Sequence, residues 1–544
     1  MSSRDLPKSF SQLATGWAKN VPNEITIHKR QAQLTEEDFQ PDDYEKVEKV
    51  QVKNLWPAFT SGAGLFSDGY VNASIGSVNT ILSRLYPTTY ATSNATNNVS
   101  SIAFVGTVVG QLSFGYIADN IARKGGLMVA NIMLIIFTIL CAAGSWGAHG
   151  SQYGMFAALT AFRFFLGIAI GAEYPTASVI ASEFANQLPS GHRNRYFCWF
   201  TNSMIDLGFV IAAFVPLVLL WIFSERHLTA VWRLTLGLGV FPPLILFFLR
   251  LKLHDSKVYD KLNMKKAKVP YYLIFKFYWF RLMIVSIIWF VYDFSAYSFG
   301  TFSSAIISNV VPKVTAPDGT LKPDLYKTFG WNTVLNLFYL PGCFLGALSA
   351  DYFGPRLTIA FGMGFQGIIG FIMGGLYGTL NNNIGAFVVV FGIFTALGEF
   401  GPGDNIGLLA SKTSATPIRG QYYGIAAAIG KIGAFVGTWV FPAITKKYGG
   451  PDGTNILGDQ VPFFISSGLC IFAALIALFL CPPVGQDALN KEDHDFVQYL
   501  IDNNYDVSQL GTVSYTEEHI SIDENNDNKE AANKTVSISE NDSN

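Results

Sequence analysis

Long apolar runs alternate with short polar segments along most of this chain. Each run is about 18 to 28 residues long, enough to cross a hydrocarbon layer of about 30 Å as a helix. The runs are residues 57–82, 101–119, 125–147, 153–182, 196–223, 229–251, 279–309, 331–352, 356–379, 384–411, 420–444 and 461–483. The pattern predicts an all-α membrane protein with twelve transmembrane helices in a lipid bilayer.

The composition narrows the class of protein. Half of the residues (50%) are hydrophobic and only 14% are charged, which excludes an ordinary soluble globule. The net charge is −2, and no basic patch with interleaved aromatic residues suggests a nucleic-acid partner. All five cysteines fall within or at the end of apolar runs without metal or disulfide spacing, so we expect neither metal nor cofactor.

Polar segments divide the chain into five parts. We predict a hydrophilic tail at 1–53, six-helix bundles at 54–251 and 279–483, a basic loop at 252–278 and a largely disordered tail at 484–544.

The distribution of basic residues predicts the orientation. Lys and Arg fall in alternate loops, which places those loops in the cytoplasm. An even number of spans then places both termini there, and we expect the plasma membrane. The loop after the first run lies outside, where the sequons at Asn94 and Asn98 are accessible to glycosylation.

Two polar motifs of similar form close the second and the eighth run. They consist of Gly115, Asp119, Arg123 and Lys124 in the first case and of Gly346, Asp351 and Arg356 in the second. The glycine permits close helix approach, the acid can meet the N-terminal end of a neighbouring helix or a basic partner, and the basic residues can hold the loop. A single motif of this kind is explained by a solvated turn between helices. Its recurrence at a matching position makes that explanation weaker.

Further residues recur at the same interval of about 230 residues, across the basic loop. They are Asp68 and Asp293, Pro175 and Pro402, and Arg193 and Arg419. The recurrence indicates two homologous six-helix halves. Parallel repeats of this kind place a substrate site at their interface, near the middle of the bilayer.

The seventh run contains Trp289, Asp293 and Tyr297 at positions i, i+4 and i+8. In a helix these side chains share one face. A carboxylate inside a membrane costs several kcal/mol unless it faces a protein-lined cavity, so it indicates function. The alternative is an aromatic core stripe with one satisfied polar residue.

The fourth run carries an acid beside a proline, Glu173-Tyr174-Pro175. The proline frees a backbone carbonyl in mid-span, which needs a cavity or a partner. The carboxyl group can exchange a proton there at small energetic cost, as a proton-coupled carrier requires. The alternative is a kinked helix with a buried, hydrogen-bonded Glu173.

These motifs resemble the major facilitator superfamily over residues 55–485, and within it the phosphate:proton symporter family. The similar positions are Asp68, Glu173-Tyr174-Pro175, Trp289-x-x-x-Asp293-x-x-x-Tyr297 and Lys431. The resemblance implies that Tyr174, Trp289, Asp293, Tyr297 and Lys431 bind phosphate. It also implies that Asp68 carries a proton and that the two halves rock in alternating access.

The departures from that family concern the site. Ile205 stands where the family has a Gln, with Asp206 beside it, and Gly403 replaces an Asn, next to Asp404. A second acid shortly after Asp68 is absent. The resemblance therefore implies a site that is wider than one for inorganic phosphate.

The remaining motifs are similar to those of the fungal glycerophosphodiester transporters. This resemblance implies proton-coupled uptake of glycerophosphocholine or glycerophosphoinositol by a monomer, with Asp68, Glu173 and Asp293 as the proton-binding set. Asp206 and Asp404 could serve a cationic head group; the alternative is that they are ordinary buried polar residues.

Two other functions stay open. One is inorganic phosphate symport, which Ile205 and Gly403 oppose; the other is a nutrient sensor with the same fold, which the intact acid set opposes. An enzyme is not expected, because the hydrophilic segments contain no nucleophile–base pair, metal-ligand spacing or phosphate-binding glycine loop.

Overall fold

A computed structural model describes the part of the chain from residue 21 to residue 510, with gaps. The described residues are 21–22, 24–26, 28, 56–91, 93–121, 123–186, 191–252, 259, 262–265, 267–315, 319–450, 455–486 and 488–510. Within them, eleven helices are long and apolar enough to cross a membrane, and we number them 2 to 12. They are Ala95–Asn120, Arg123–Gly144, Gln152–Ala185, Arg193–Phe223, Glu225–Arg250, Tyr271–Val310, Leu325–Tyr352, Pro355–Gly375, Ile384–Lys412, Thr416–Tyr448 and Leu457–Leu480.

Helix 1 is the first of the predicted spans. It consists of Trp56–Gly62 and Leu65–Leu85. It is less apolar than the other eleven because it carries Asp68, Asn72 and Asn79, all of which are buried in the protein. The twelve predicted spans are therefore all helical, and the membrane-protein fold is confirmed.

Several helices are interrupted. Helix 5 is divided into Arg193–Phe200 and Asn202–Phe223, and helix 8 into Leu325–Leu337 and Tyr339–Tyr352. A short antiparallel hairpin, Lys313–Thr315 and Leu321–Pro323, joins helix 7 to helix 8.

Helix 10 contains a π-helical turn, Glu399–Gly403, between Ile384–Gly398 and Asp404–Lys412. Pro402 within this turn has no N–H group to donate, which favours a departure from regular helix. Such turns are frequent at functional sites.

Helix packing follows the internal repeat. Helix 1 packs on helix 5, as helix 7 packs on helix 11. Across the two halves, helix 2 packs on helix 11 and helix 5 on helix 8. Each pair is related to its counterpart by a shift of six helices, so the arrangement supports two homologous halves.

We call the end of the bundle where both tails contact it the tail end. Glu24 accepts a hydrogen bond from Arg356 Nη2 at 2.6 Å, and His28 Nε2 lies 3.2 Å from the carbonyl oxygen of Val484. Both side chains are buried. These residues lie in the predicted hydrophilic tail 1–53, so part of that tail is packed against the second half.

The second predicted tail also departs from expectation. Its residues Ala488–Asp502 form a helix, which we call the tail helix, with Leu489, Phe496 and Leu500 buried. Glu492 forms an ion pair with Arg281 at 2.7 Å. This segment is therefore packed and not solvated along its whole length, because its apolar residues have a surface to cover. The part beyond residue 510 lies outside the described residues.

The first polar motif makes the contacts expected of it. Asp119 accepts hydrogen bonds from the backbone N–H groups of Gly420 at 2.9 Å and Gln421 at 2.7 Å, at the beginning of the Arg419–Tyr448 segment. A Cβ atom at Gly115 would lie 2.7 Å from the Gly420 carbonyl oxygen, so only glycine permits this approach. The motif thus joins helix 2 to helix 11 across the halves.

The basic residues and the second motif act at the same end. Arg123 forms an ion pair with Glu183, and Lys124 donates to the Leu251 carbonyl oxygen at 2.9 Å. Asp351 pairs with Arg195 of helix 5, again across the two halves. These contacts close the tail end of the bundle.

Candidate binding cavity

A cavity lies between the two halves, and contacts between the halves lie on both sides of it. The tail-end contacts lie on one side. On the other side, Thr80 Oγ1 donates to Ser304 Oγ at 2.9 Å, and Trp439 Nε1 donates to Ser101 Oγ at 2.7 Å. Residues of helices 1, 4, 5, 7, 8, 10 and 11 line the cavity. The two halves are therefore in contact on both sides of the cavity.

The predicted stripe on helix 7 faces this cavity. Trp289, Asp293 and Tyr297 all line it, on the continuous helix Tyr271–Val310. Lys431 of helix 11 lies opposite, with Nζ 3.1 Å from Asp293 Oδ2 and 3.6 Å from the centre of the Tyr297 ring. The structure thus brings these four predicted residues together.

Close packing of helices 7 and 11 explains that contact. A Cβ atom at Gly430 would lie 2.4 Å from Trp289 Cδ1, and one at Gly433 would lie 2.2 Å from the Phe290 carbonyl oxygen. Glycine at these positions lets the backbones approach. Lys431 is thereby held within reach of Asp293.

From the Tyr297 ring, against which Lys431 packs, hydrogen bonds extend into the first half. The Tyr174 hydroxyl donates to Asp68 Oδ2 and lies 3.1 Å from the Tyr297 hydroxyl. Asn72, which follows Asp68 by one helical turn, donates to Asp68 Oδ1 at 2.6 Å. Asp68 itself lies behind Tyr174, which lines the cavity. The two tyrosine hydroxyl groups therefore lie between Asp68 and the ring contact of Tyr297 with Lys431.

Glu173 occupies a different position from the rest of the predicted proton-binding set. It does not line the cavity. Arg250 at the end of helix 6 donates to both of its carboxylate oxygens, at 2.6 and 2.8 Å, and also to the Ser61 carbonyl oxygen at 3.0 Å. This geometry agrees with the alternative reading of a buried, hydrogen-bonded Glu173. Sequence reasoning did not identify Arg250.

Three carboxyl groups meet at another part of the cavity wall, and we call Asp206, Glu399 and Asp404 the acid cluster. Asn202 Nδ2 lies 3.0 Å from a Glu399 oxygen, 3.1 Å from one of Asp404 and 3.4 Å from one of Asp206. Tyr292 donates to Glu399 Oε1 at 2.7 Å. All three acids are buried and line the cavity.

Glu399 was missed in the sequence. It lies within the apolar run 384–411, three residues before Pro402. An ionisable residue inside a membrane helix is a sufficient reason to propose function. The π-helical turn that points its carboxylate towards Asp206 cannot be read from the apolar pattern.

The structure also refines the expected departures from phosphate carriers. Ile205 lines the cavity. A Cβ atom at Gly403 would lie 2.1 Å from Glu399 Oε2 and 2.7 Å from the Tyr292 hydroxyl. Glu399 therefore occupies the space that the missing side chain of Gly403 leaves. At this point the cavity gains a carboxyl group and is not simply wider.

The predicted glycosylation acceptors lie away from the tail end. Asn94 and Asn98 are exposed at the beginning of helix 2, whose other end carries Asp119.

Comparison with known proteins agrees with this geometry. The family model described as "Sugar (and other) transporter" matches residues 56–270 and 260–496. The chain is 16% identical to the proton:xylose symporter XylE of the major facilitator superfamily, in a structure bound to 6-bromo-6-deoxy-D-glucose. That match has a TM-score of 0.64 and covers 80% of this chain and 98% of the other. It concerns the fold.

Curated relatives are much more similar in sequence. The chain is 63% identical to the "Major glycerophosphoinositol permease GIT3" of Candida albicans and 61% identical to its "Glycerophosphocholine permease GIT4", with 94% of each chain covered in both comparisons. It is 34% identical to the "Glycerophosphoinositol transporter 1" of Saccharomyces cerevisiae, over 89% of this chain and 90% of the relative. The chain is therefore a membrane transporter of the sugar (and other) transporter family, within the major facilitator superfamily, and belongs with these glycerophosphodiester permeases.

Proposed function

We propose that this protein takes up glycerophosphodiesters, glycerophosphocholine or glycerophosphoinositol, together with protons across the plasma membrane. The observation that carries the proposal is the buried contact between Lys431, Asp293 and the two tyrosines in a cavity between the halves. Relatives of about the same length, 61 to 63% identical, are named as permeases for these compounds.

The phosphodiester binds at Lys431. Its single negative charge is balanced by the ammonium group, while the hydroxyl groups of Tyr174 and Tyr297 and the indole of Trp289 position the oxygens. In this structure Asp293 Oδ2 lies 3.1 Å from Lys431 Nζ. Protonation of Asp293 weakens that pair and frees Lys431 for the substrate. Proton uptake and substrate binding are therefore coupled at one lysine.

Asp68 is the second proton site, reached through the two tyrosines. A proton that enters the cell down a membrane potential of −100 mV (inside negative) contributes about 2.3 kcal/mol, and each unit of pH gradient adds about 1.4 kcal/mol. This is sufficient for accumulation of a scarce substrate. Glu173 has no part in this route in our proposal, because Arg250 holds it outside the cavity.

Transport follows alternating access. The tail-end contacts of Asp119 and Asp351 open in one half-cycle, and those of Thr80 and Trp439 in the other. We propose that the tail end faces the cytoplasm, since Asn94 and Asn98 then lie outside. The protein works as a monomer, since a single chain encloses the whole cavity.

Uptake of labelled substrates tests the proposal. Glycerophosphocholine, glycerophosphoinositol and inorganic phosphate are offered at acidic and neutral external pH to cells that lack their own carriers. We expect acid-stimulated uptake of a glycerophosphodiester that excess phosphate does not reduce. Preference for inorganic phosphate would show that the protein keeps the activity of the phosphate:proton symporter family. If the surface-expressed protein takes up none of these compounds, the result would favour the hypothesis that it is a nutrient sensor.

A further inference from the structure

We infer that the acid cluster is a subsite for the quaternary ammonium of a choline head group, so that glycerophosphocholine is the preferred substrate. The inference rests on the proposed function and concerns the end of the cavity that the phosphate does not occupy. It adds Glu399 to the binding residues and assigns a role to the charge of the cluster.

The acid cluster has no cationic counterpart among the described residues. Among the residues that the structure describes, no Lys, Arg or His forms an ion pair with Asp206, Glu399 or Asp404. The neutral side chain of Asn202 contacts all three, and Tyr292 and Cys343 donate to Glu399 and Asp404. Asp206 Oδ1 and Asp404 Oδ2 are buried without a hydrogen-bond partner. Buried carboxylates require a compensating cation or a proton. A cationic ligand that binds beside this cluster supplies that charge, which favours its binding over that of a neutral ligand.

The surrounding side chains suit a cation that has no hydrogen to donate. Tyr292, Phe209 and Tyr339 line the same cavity, and the rings of Phe209 and Tyr339 lie 5.3 Å apart. Aromatic faces attract a quaternary ammonium when water is excluded. The hydroxyl groups of an inositol could donate to the carboxylates, but a neutral ring would leave their charge uncompensated.

The backbone makes room for these acids. A Cβ atom at Gly346 would lie 2.6 Å from Asp404 Oδ2, and one at Gly403 would lie 2.1 Å from Glu399 Oε2. Glycines on helices 8 and 10 therefore admit two carboxylates at once. This is the arrangement of a site, and not of incidental buried acids.

The two ends of the cavity match a zwitterion. Tyr292 and Asp293 are neighbours on helix 7, and Tyr292 contacts Glu399 while Asp293 contacts Lys431. One wall therefore joins a basic and an acidic subsite. Glycerophosphocholine carries a phosphate and an ammonium separated by two carbons, which gives it the same polarity.

The test compares glycerophosphocholine with its neutral isostere, in which a 3,3-dimethylbutyl group replaces choline and carbon replaces the charged nitrogen. Competition of each compound against labelled glycerophosphocholine uptake is measured for the wild type and for Glu399→Gln. Glutamine retains an oxygen for Tyr292 but removes the charge. We expect the wild type to prefer the cation by at least about tenfold, and the preference to fall by about tenfold or more in the variant.

Matched variants keep the test informative. Asp404→Asn serves as a second probe if Glu399→Gln does not reach the surface, and Asp502→Asn, on the exposed face of the tail helix, is the control for acid-to-amide exchange. Equal competition by cation and isostere in the wild type would overturn the inference. So would a variant that loses both compounds equally, because the cluster would then be structural or a proton site. Failure of every glycerophosphodiester to compete would overturn the proposed function itself.

Discussion

Lys431 and Asp293 form an ion pair of 3.1 Å at the centre of the cavity, and each side chain is only 1% exposed. Removal of one partner of such a pair leaves an uncompensated buried charge, at a cost of about 3 to 5 kcal/mol. We therefore expect Asp293→Asn to abolish substrate accumulation.

The double variant Asp293→Asn/Lys431→Met separates folding from transport. It removes both charges, so we expect surface expression to recover while accumulation stays absent. Surface biotinylation and uptake of a labelled glycerophosphodiester provide the two measurements. Uphill uptake by surface-expressed Asp293→Asn would refute the assignment of Asp293 as a coupling residue.

The pair of Glu173 and Arg250 predicts a structural effect. We expect Arg250→Met to lower the free energy of unfolding by about 3 to 5 kcal/mol, because Glu173 would be buried without its cation. The double variant Glu173→Gln/Arg250→Met should recover most of this loss. Thermal unfolding in detergent measures the stability, and the pH profile of uptake by Glu173→Gln provides a second readout. A shifted profile would return Glu173 to the proton-binding set.

Gly403 predicts a steric effect on the acid cluster. We expect Gly403→Asn to lower glycerophosphodiester uptake by about tenfold or more, because its side chain would collide with Glu399 and Tyr292. The double variant Gly403→Asn/Glu399→Ala relieves the collision and restores the hydrogen-bonding residue of phosphate carriers. Uptake of inorganic phosphate by the double variant, measured against wild type, should increase. No gain in phosphate uptake would mean that this position does not select the substrate.

Docking of the N-terminal segment should depend on pH. Burial and the nearby Lys412 lower the pKa of His28 from 6.5 to about 4. As the pH falls through this range, the undocked segment takes up a proton while the docked one stays neutral, so acidification favours release. Burial raises the pKa of Glu24, whose protonation has the opposite effect.

The variant His28→Gln isolates the histidine. Hydrogen exchange of residues 21–28 is compared at about pH 7.5 and about pH 5. We expect acidification to lower the protection factors, which are corrected for the intrinsic exchange rate at each pH, more in the wild type than in the variant. An equal response of both proteins would show that His28 does not control docking.

The exposed sequons predict a modification. We expect the protein made in a eukaryotic cell to migrate faster after endoglycosidase treatment, and the shift to disappear in Asn94→Gln/Asn98→Gln. The single variants show which site is used. A shift that persists in the double variant would place the sugar elsewhere, and the absence of any shift would remove this support for the orientation.

The fold and half of the site could be predicted because their signals are local. An apolar run of sufficient length determines a span, and the spacing of Trp289, Asp293 and Tyr297 determines a helix face. The recurrent motif predicted that Asp119 meets the N-terminal end of a neighbouring helix or a basic partner. In the structure that helix is helix 11.

The acid cluster and the pairing of Glu173 could not be predicted because they depend on tertiary contacts. Which cation reaches Glu173 is decided by the packing of helix 6 on helix 1. The direction of Glu399 is decided by a π-helical turn, and periodicity assumes a regular helix. The tail helix was missed because its composition is polar, and its burial depends on the surface that it covers.

The tail helix and the residues before it contact both halves of the transporter. Gly191 N–H of the first half donates to Gln486 at 2.8 Å, Asn186 donates to Asn490 at 2.9 Å, and Arg281 of the second half pairs with Glu492. Separation of the halves at this end must break contacts with one of them. Each 1.4 kcal/mol of such contact energy changes the equilibrium ratio of the two conformations of the empty carrier about tenfold. The segment thus favours the conformation of the empty carrier in which the cavity opens to the side opposite the tail end. A proteolytic cut after helix 12 would lower the population of that conformation.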